Sequence, residues 1–204
     1  KTAYEIRNCD WSSDVCSSDL RSIAKDFTNR VAEILKDTKI GNPFDPSNQM
    51  GPIASESQLR KIEMFVESAR SRNLEEALKS TPTQKNGYWF TPTIFSNVSP
   101  DDLLAQEEIF GPVLVVITFE TEEEAIQIAN NSVYGLAGAI WTSNLSRAHK
   151  VSRRLKAGTV WVNCYEEGDM TVPFGGMKFS GNGRDKSIHA LEKYLEMKTT
   201  WFQL

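Results

Sequence analysis

Between Pro112 and Phe119 the chain reads Pro-Val-Leu-Val-Val-Ile-Thr-Phe, apolar at odd and even positions alike and rich in β-branched side chains. A strand with one wet face alternates in polarity; one without alternation has to be covered on both faces, which is the environment inside a parallel sheet flanked by helices. Parallel neighbours cannot be joined by a hairpin, so the flanking sequence must supply crossover helices. Thr121 and Glu124 form a capping box directly after the run, and the acidic turn Glu122-Glu123-Glu124 complements a helix dipole. Residues 138–141 then read as a short strand, 144–155 as a helix with Leu145, Ala148, Val151 and Leu155 inward, and 159–162 as another strand. This alternation predicts an α/β fold built on an open, largely parallel sheet with crossover helices.

Upstream, Ile23, Phe27, Val31, Ile34 and Leu35 recur at helical spacing and stop before Gly41-Asn42-Pro43, where a polar loop begins that runs to Pro52. Ser55 and Gln58 make a second capping box, and Leu59, Ile62, Val66 and Ala69 supply the buried stripe behind it. Residues 72–86 are polar and weakly patterned and are expected to be a further helix fraying into a surface loop; 88–95 read as extended structure interrupted at Pro92. At the other end, Ile188, Leu191 and Leu195 predict a last helix over 185–195, and 198–204 a terminal strand, an edge that looks for a partner chain. The first twenty residues stand apart. From Asn8 to Leu20 a repeated Cys/Ser/Ser/Asp vocabulary has almost no apolar periodicity and resembles translated adaptor sequence, so the segment is expected to be foreign to the gene and unused by the fold. Three units result: an anomalous segment 1–20, an α/β unit 21–195 and a tail strand 196–204.

Composition excludes several function classes. With 40% hydrophobic and 25% charged residues, the 204-residue chain can build a real core, removing about 70% of the unfolded surface from water. Its 23 Lys plus Arg are scattered among 27 Asp plus Glu for a net charge of -4, so no nucleic-acid partner is expected. The longest apolar runs, 113–117 and 135–141, are strand-sized, and the start lacks the apolar stretch of a secretory signal; no membrane partner and a cytoplasmic location are expected. Cys9, Cys16 and Cys164 fit neither a disulfide framework nor a metal spacing, so no metal site is expected.

Four places could carry chemistry. In Gln106-Glu-Glu-Ile-Phe-Gly-Pro112 two carboxylates precede an aromatic and a Gly-Pro turn. This is either a solvated acidic turn or a carboxylate placed to accept sugar hydroxyls, with Phe110 offering its ring to a flat cofactor. The loop enters its strand rather than leaving it, which the general placement of ligands in α/β sheets does not favour. The stretch from Gly175 to Gly183 holds four glycines, open to a phosphate cradle or a packed structural turn, though neither G-x-G-x-x-G nor G-x-x-x-x-G-K-[ST] fits. Cys164 follows a strand and is a nucleophile or a small apolar filler; His149 and His189 sit apart from it, each in a helix. Glu166, Glu167 and Asp169 form an acidic cluster that either binds a cationic group or is a plain polar loop.

Taken together, Gln106-Glu-Glu-Ile-Phe-Gly-Pro-Val113, Tyr134-Gly-Leu-Ala-Gly, Trp141-Thr-Ser-Asn-Leu-Ser-Arg-Ala-His149, Ala157-Gly-Thr-Val-Trp-Val-Asn-Cys164 and Pro173-Phe-Gly-Gly176 occur in the order seen in NAD(P)-dependent aldehyde dehydrogenases. The resemblance covers Arg21 to the C-terminus and is closest to the gamma-glutamyl-gamma-aminobutyraldehyde dehydrogenase branch, on residues 168–176 and 180–193. It implies the fold of that family's catalytic domain with a C-terminal oligomerisation strand, and a homodimer or homotetramer. Glu108 would bind the nicotinamide ribose hydroxyls of NAD or NADP, and Phe110 would pack beside the nicotinamide. Phe174 would wall the aldehyde pocket, and Glu167 and Asp169 would line the substrate entrance, their charge suiting the amine of an amino-aldehyde or of a glutamyl conjugate. Gly175 and Gly176 become turn residues beneath the site.

The family mechanism uses a cysteine thiolate that attacks the aldehyde, a hydride passed to the nicotinamide, and a thioester hydrolysed by water that a glutamate activates. Counting back along the family motif puts that cysteine near Trp11, where the Gly-Gln-x-Cys context is absent and neither Cys9 nor Cys16 is in register. The base, the oxyanion asparagine and the dinucleotide-binding domain are expected before Lys1, so no catalytic residue is assigned in this chain. Two readings stand side by side. One is the C-terminal part of an aldehyde dehydrogenase that oxidises a small amino- or gamma-glutamylamino-aldehyde to its acid; the other is a non-catalytic fragment able only to pair with another subunit. A free-standing regulatory binding module is a weaker third.

Overall fold

A computed structural model of the chain describes residues 5–9, 15–79, 86–165 and 168–204, with the backbone alone for 5–9 and 15–20. In chain order the elements are β1 (Glu5–Cys9), β2 (Val15–Leu20), α1 (Arg21–Lys36), α2 (Glu56–Ser71), β3 (Glu75–Leu78), β4 (Thr93–Ser96), α3 (Leu103–Gln106), β5 (Val113–Phe119), α4 (Glu122–Asn130), β6 (Ala137–Trp141), α5 (Leu145–Arg154) and β7 (Thr159–Val162). Two 3₁₀ segments, Lys178–Ser180 and Ile188–Tyr194, follow.

The strands form one sheet in the order β3-β4-β5-β2-β1-β6-β7. β5 pairs in parallel with both β4 and β2, and β6 with β7; β1 is antiparallel to β2 and β6, and β3 to β4. All strands except β1 and β3 therefore point the same way, as the unbroken apolar character of β5 requires. Val113, Val115, Val116, Ile117 and Phe119 are all buried, so both faces of that strand are covered.

Thr121 caps its helix as read, and Asn144 caps another that was read from apolar spacing alone. Thr121 Oγ1 accepts from the Glu124 N–H at 3.2 Å to start α4, and Asn144 Oδ1 from the Arg147 N–H at 3.0 Å to start α5. Ile62, Val66 and Ala69 of α2 pack with Phe95, Val113, Val115 and Ile117 in one apolar cluster. Phe119, Ala125, Ile126, Ala129, Ile140, Val151 and Leu155 make a second.

Several expectations are corrected. The segment expected to stay outside the fold contributes β1 and β2 to the middle of the sheet, with Val15 to Leu20 in register against Leu114 to Phe119. The reason lies in β5 and β6, whose inner edges carry backbone groups that need partners once buried. In α1 the buried positions are the small Ala24 and Thr28, while Ile34 is 70% exposed. The expected helix after α2 is instead the edge strand β3; Asn73, with φ of 57°, turns the chain out of the helix, and the polar alternation of an edge carries little sequence signal. Leu145 on α5 is exposed rather than inward. The expected last helix is the tight 3₁₀ turn Ile188–Tyr194, and Ile188, Leu191 and Leu195 are all exposed: their spacing is helical, but none of the described residues covers them. Residues 198–204 form no strand and pair with no ladder among the described residues, and Trp201 and Phe202 are exposed. No helix among the described residues is long and apolar enough to cross a membrane.

Candidate functional site

The turn into β5 is built around Ile109, which is 2% exposed and points into the first apolar cluster. Its two neighbours differ: Glu108 is half-buried, with one carboxylate oxygen out of contact with solvent, and Phe110 is turned outward at 41% exposure. Phe110 has φ of 57°, a left-handed conformation that costs a non-glycine residue about 1–2 kcal/mol unless its surroundings enforce it. Helix α2 enforces it. The side-chain amide of Gln58 donates to the carbonyl oxygens of Ile109 at 2.7 Å and Phe110 at 3.0 Å. One turn along, the Lys61 ammonium donates to the Glu108 carbonyl and lies 5.5 Å from the Phe110 ring centroid. Gly111 lets this turn press on the helix, because a Cβ there would come within 2.5 Å of the Ile62 side chain.

Gln58 was read as the reciprocal half of a capping box. Its backbone N–H does donate to the Ser55 hydroxyl oxygen at 3.2 Å, but its side chain is spent on the turn. Gln58 and Lys61 are residues that sequence reasoning missed. The signal available was their spacing, three apart on one helix face, without any indication of the carbonyls they reach.

The glycine-rich stretch is a packed turn, not a phosphate cradle. A Cβ on Gly158 would lie 1.7 Å from the Gly175 carbonyl oxygen, and one on Gly175 would lie 2.2 Å from that of Gly183, so three backbone segments meet without side chains between them. The Met177 N–H donates to the Gly135 carbonyl at 2.8 Å. Gly135 precedes β6 and Gly158 precedes β7, so this stretch lies along the N-terminal edge of the sheet, where the Glu108–Phe110 turn also lies. The turn at 130–132 joins the two. Gln106 donates to the Asn131 carbonyl at 2.7 Å, and Lys178 donates to those of Asn130 at 3.1 Å and Ser132 at 2.8 Å. Partial burial, and then the charge of Lys156, hold the Lys178 ammonium below the ordinary lysine range.

Phe174 is half-buried and fixed by paired backbone hydrogen bonds with Asp185, at 2.8 and 2.6 Å. The Lys186 ammonium stands 5.6 Å from the Phe174 ring centroid. Asp169 is exposed, and its carboxylate accepts from the hydroxyl and N–H of Thr171 at 2.6 and 2.7 Å. Those two bonds, with the charge of Lys186 behind them, hold it below the ordinary carboxylate range. Of the five residues assigned from sequence, Glu108 and Phe110 share one turn, and Phe174 and Asp169 share another assembly with Lys186, which was also missed. Glu167, like Glu166 and Trp11, lies outside the described residues. Cys164 is half-buried and in no disulfide. Among the described residues no three His, Cys, Asp or Glu side chains converge as a metal site.

The aldehyde dehydrogenase family matches residues 20–200. The NADP/NAD-dependent aldehyde dehydrogenase PuuC of Escherichia coli (strain K12) is 48% identical over 183 residues, covering 90% of this chain and 37% of that protein. A betaine aldehyde dehydrogenase of Cereibacter sphaeroides is 39% identical over 195 residues, covering 93% and 40%. Among solved structures, P. syringae AldA indole-3-acetaldehyde dehydrogenase in complex with NAD+ superposes with a TM-score of 0.86 at 48% identity, covering 92% of this chain and 38% of that one. The aldehyde dehydrogenase KauB of Pseudomonas aeruginosa gives 0.85, also at 48% identity, with the same coverage. The chain thus spans about two-fifths of the length of these relatives.

Proposed function

Starting from membership of the aldehyde dehydrogenase family, to which this chain belongs, we propose that it forms the C-terminal part of an enzyme that oxidises an amino- or gamma-glutamylamino-aldehyde to the carboxylic acid. The observation that carries the reading is the clamp on the turn before β5. Gln58 and Lys61 hold a half-buried carboxylate and an outward ring in fixed relation, on the sheet edge that also carries the Gly175 turn beside Phe174. A carboxylate suits ribose hydroxyls and a ring face suits a flat heterocycle, so Glu108 and Phe110 fit the nicotinamide half of NAD or NADP, which supplies hydride acceptance when bound. Phe174 walls the aldehyde pocket, and Asp169 and Glu167 supply the negative charge at its mouth. The similarity to PuuC supports the amino-aldehyde class and its place in polyamine breakdown. The exposed tail 196–204 serves as the oligomerisation strand, with Met197, Trp201 and Phe202 waiting for a neighbouring subunit.

The family match begins at residue 20 and leaves residues 1–19 outside it; the reading of the first twenty residues as foreign is tested by the genomic sequence upstream of the Arg21 codon. By the same reading, the 204-residue chain on its own produces no NADH from any aldehyde; detectable turnover by the purified chain overturns this. The substrate class is tested in a full-length version, with residues 21–204 joined behind the N-terminal part of the PuuC relative. Replacing Glu167→Gln and Asp169→Asn together is expected to raise KM for amino-aldehydes about tenfold more than for neutral aliphatic ones, the equivalent of one lost charge contact. Equal effects on both reject the assignment.

A further inference from the structure

The segment 185–187 is held hard against the loop 168–174. Phe174 and Asp185 exchange both backbone hydrogen bonds, and the Ser187 N–H donates to the Met170 carbonyl at 2.8 Å. Lys186 and Ser187 are both left-handed, with φ of 58° and 53°, a conformation that bulky residues keep only where their surroundings over-determine it. The result is a half-buried lysine whose ammonium sits over the Phe174 ring and 3.2 Å from where a Cβ on Gly168 would stand. The neighbouring carboxylate is engaged elsewhere, since Asp185 pairs with Lys193. Asp169 lies close enough to feel the Lys186 charge, and its Oδ1 accepts both bonds from Thr171, which turns the carboxylate toward its own loop. Among the described residues Lys186 takes part in no ion pair.

We propose that Lys186 is a specificity-determining residue of the aldehyde pocket, taking the carboxylate of the substrate's tail while the ring of Phe174 holds the ammonium in place. This rests on the proposed substrate class and deepens it. A free amino-aldehyde carries only a cation, which Lys186 repels; a tail bearing both a carboxylate and an ammonium finds Lys186 for the one and Asp169 for the other. The charge-assisted bond from a partly desolvated ammonium to a carboxylate is the strong member of that pair. The cation-ring contact orients the ammonium without consuming its hydrogen-bond donors.

The first test uses the 204-residue chain and glutamine, which carries the carboxylate, the ammonium and the amide of a gamma-glutamyl tail. In carbon-labelled lysine spectra the Lys186 side-chain resonance, assigned by its loss in Lys186→Arg, is expected to shift saturably with glutamine and much less with putrescine. No saturable shift, or an equal response to putrescine, overturns the proposal. The second test is kinetic, in the full-length version described above. Lys186→Met is expected to lower the ratio of kcat/KM for the gamma-glutamyl conjugate to that for a neutral aldehyde of similar length about tenfold, and Lys186→Arg to restore most of it. An unchanged ratio in Lys186→Met overturns the proposal. If the parent version oxidises neutral aldehydes and neither amino-aldehydes nor the conjugate, the substrate class fails instead, and the two failures are distinguishable.

Discussion

The two flanks of the sheet are held by different forces. On the β3-β4-β5 side, α2 is buried against the strands through Ile62, Val66 and Ala69, none more than 1% exposed, and the cluster runs without interruption to Val98, Leu104 and Ile109. On the β6-β7 side, a smaller cluster under α4 and α5 is supplemented by charges. Glu122 meets Arg147 at 3.1 Å and Lys150 at 2.7 Å, and both guanidinium nitrogens of Arg154 donate to Glu123 at 2.7 and 2.5 Å. The turn that carries Glu108 and Phe110 rests on the apolar flank, while the assembly around Phe174 rests on glycine contacts and ion pairs. Burial fixes a backbone at any salt concentration; an exposed ion pair does not.

The contrast can be broken at its strongest point first. Ile62→Ala removes a fully buried side chain that packs on Gly111, and is expected to cost about 4 kcal/mol in urea unfolding, the middle of the range for buried aliphatic truncations. A cost under about 1 kcal/mol means the apolar flank is not what holds the turn. Next comes Gly158→Ala, which drives a methyl group into the Gly175 carbonyl; it is expected to cost about 2–3 kcal/mol and to disturb the segment from Gly175 to Gly183 in hydrogen exchange before it disturbs α2.

The smallest effect is the most diagnostic. Glu122→Gln is expected to cost about 1 kcal/mol near neutral pH and to become silent in about 1 M salt, since Glu122 keeps 24% exposure and its partners more. Lys150 first, then Arg147 against the opposing cost of burial, hold the Glu122 carboxyl below its ordinary value of 4.5. The unfolded chain therefore binds the proton more tightly, so the stabilisation is full above about pH 4.5 and drains as pH falls through the folded value. A wild-type minus variant difference that persists in salt and acid would make the second flank as apolar as the first.

Legibility from sequence follows the same division. α2 and α4 were readable because an apolar pattern and a capping side chain agree locally, β5 and α5 from their apolar pattern alone, and each of those features is settled within a few residues. β3 was not, because a polar edge strand owes its existence to β4 rather than to its own pattern. The Ile188, Leu191 and Leu195 spacing misled for the opposite reason: the periodicity is there, but all three side chains are left exposed among the described residues. The same holds for the site. Glu108, Phe110 and Phe174 were assigned through motifs that resemble a family, not through chemistry visible in isolation. Gln58 and Lys61 are illegible because their meaning lies in carbonyls fifty residues away, 51 for the Gln58 bond to Ile109 and 47 for the Lys61 bond to Glu108. Lys186 depends on a ring and a left-handed turn that a charge pattern does not announce.

The short turn 130–132 gives the two halves of the candidate site a common foundation. Its three carbonyls receive Gln106 from one side and Lys178 from the other, so a shift of that backbone is felt at both turns at once. The two turns are thereby mechanically coupled: a substitution that displaces Lys178 pulls on the same three residues that Gln106 holds, so damage to one turn is passed to the other through backbone alone.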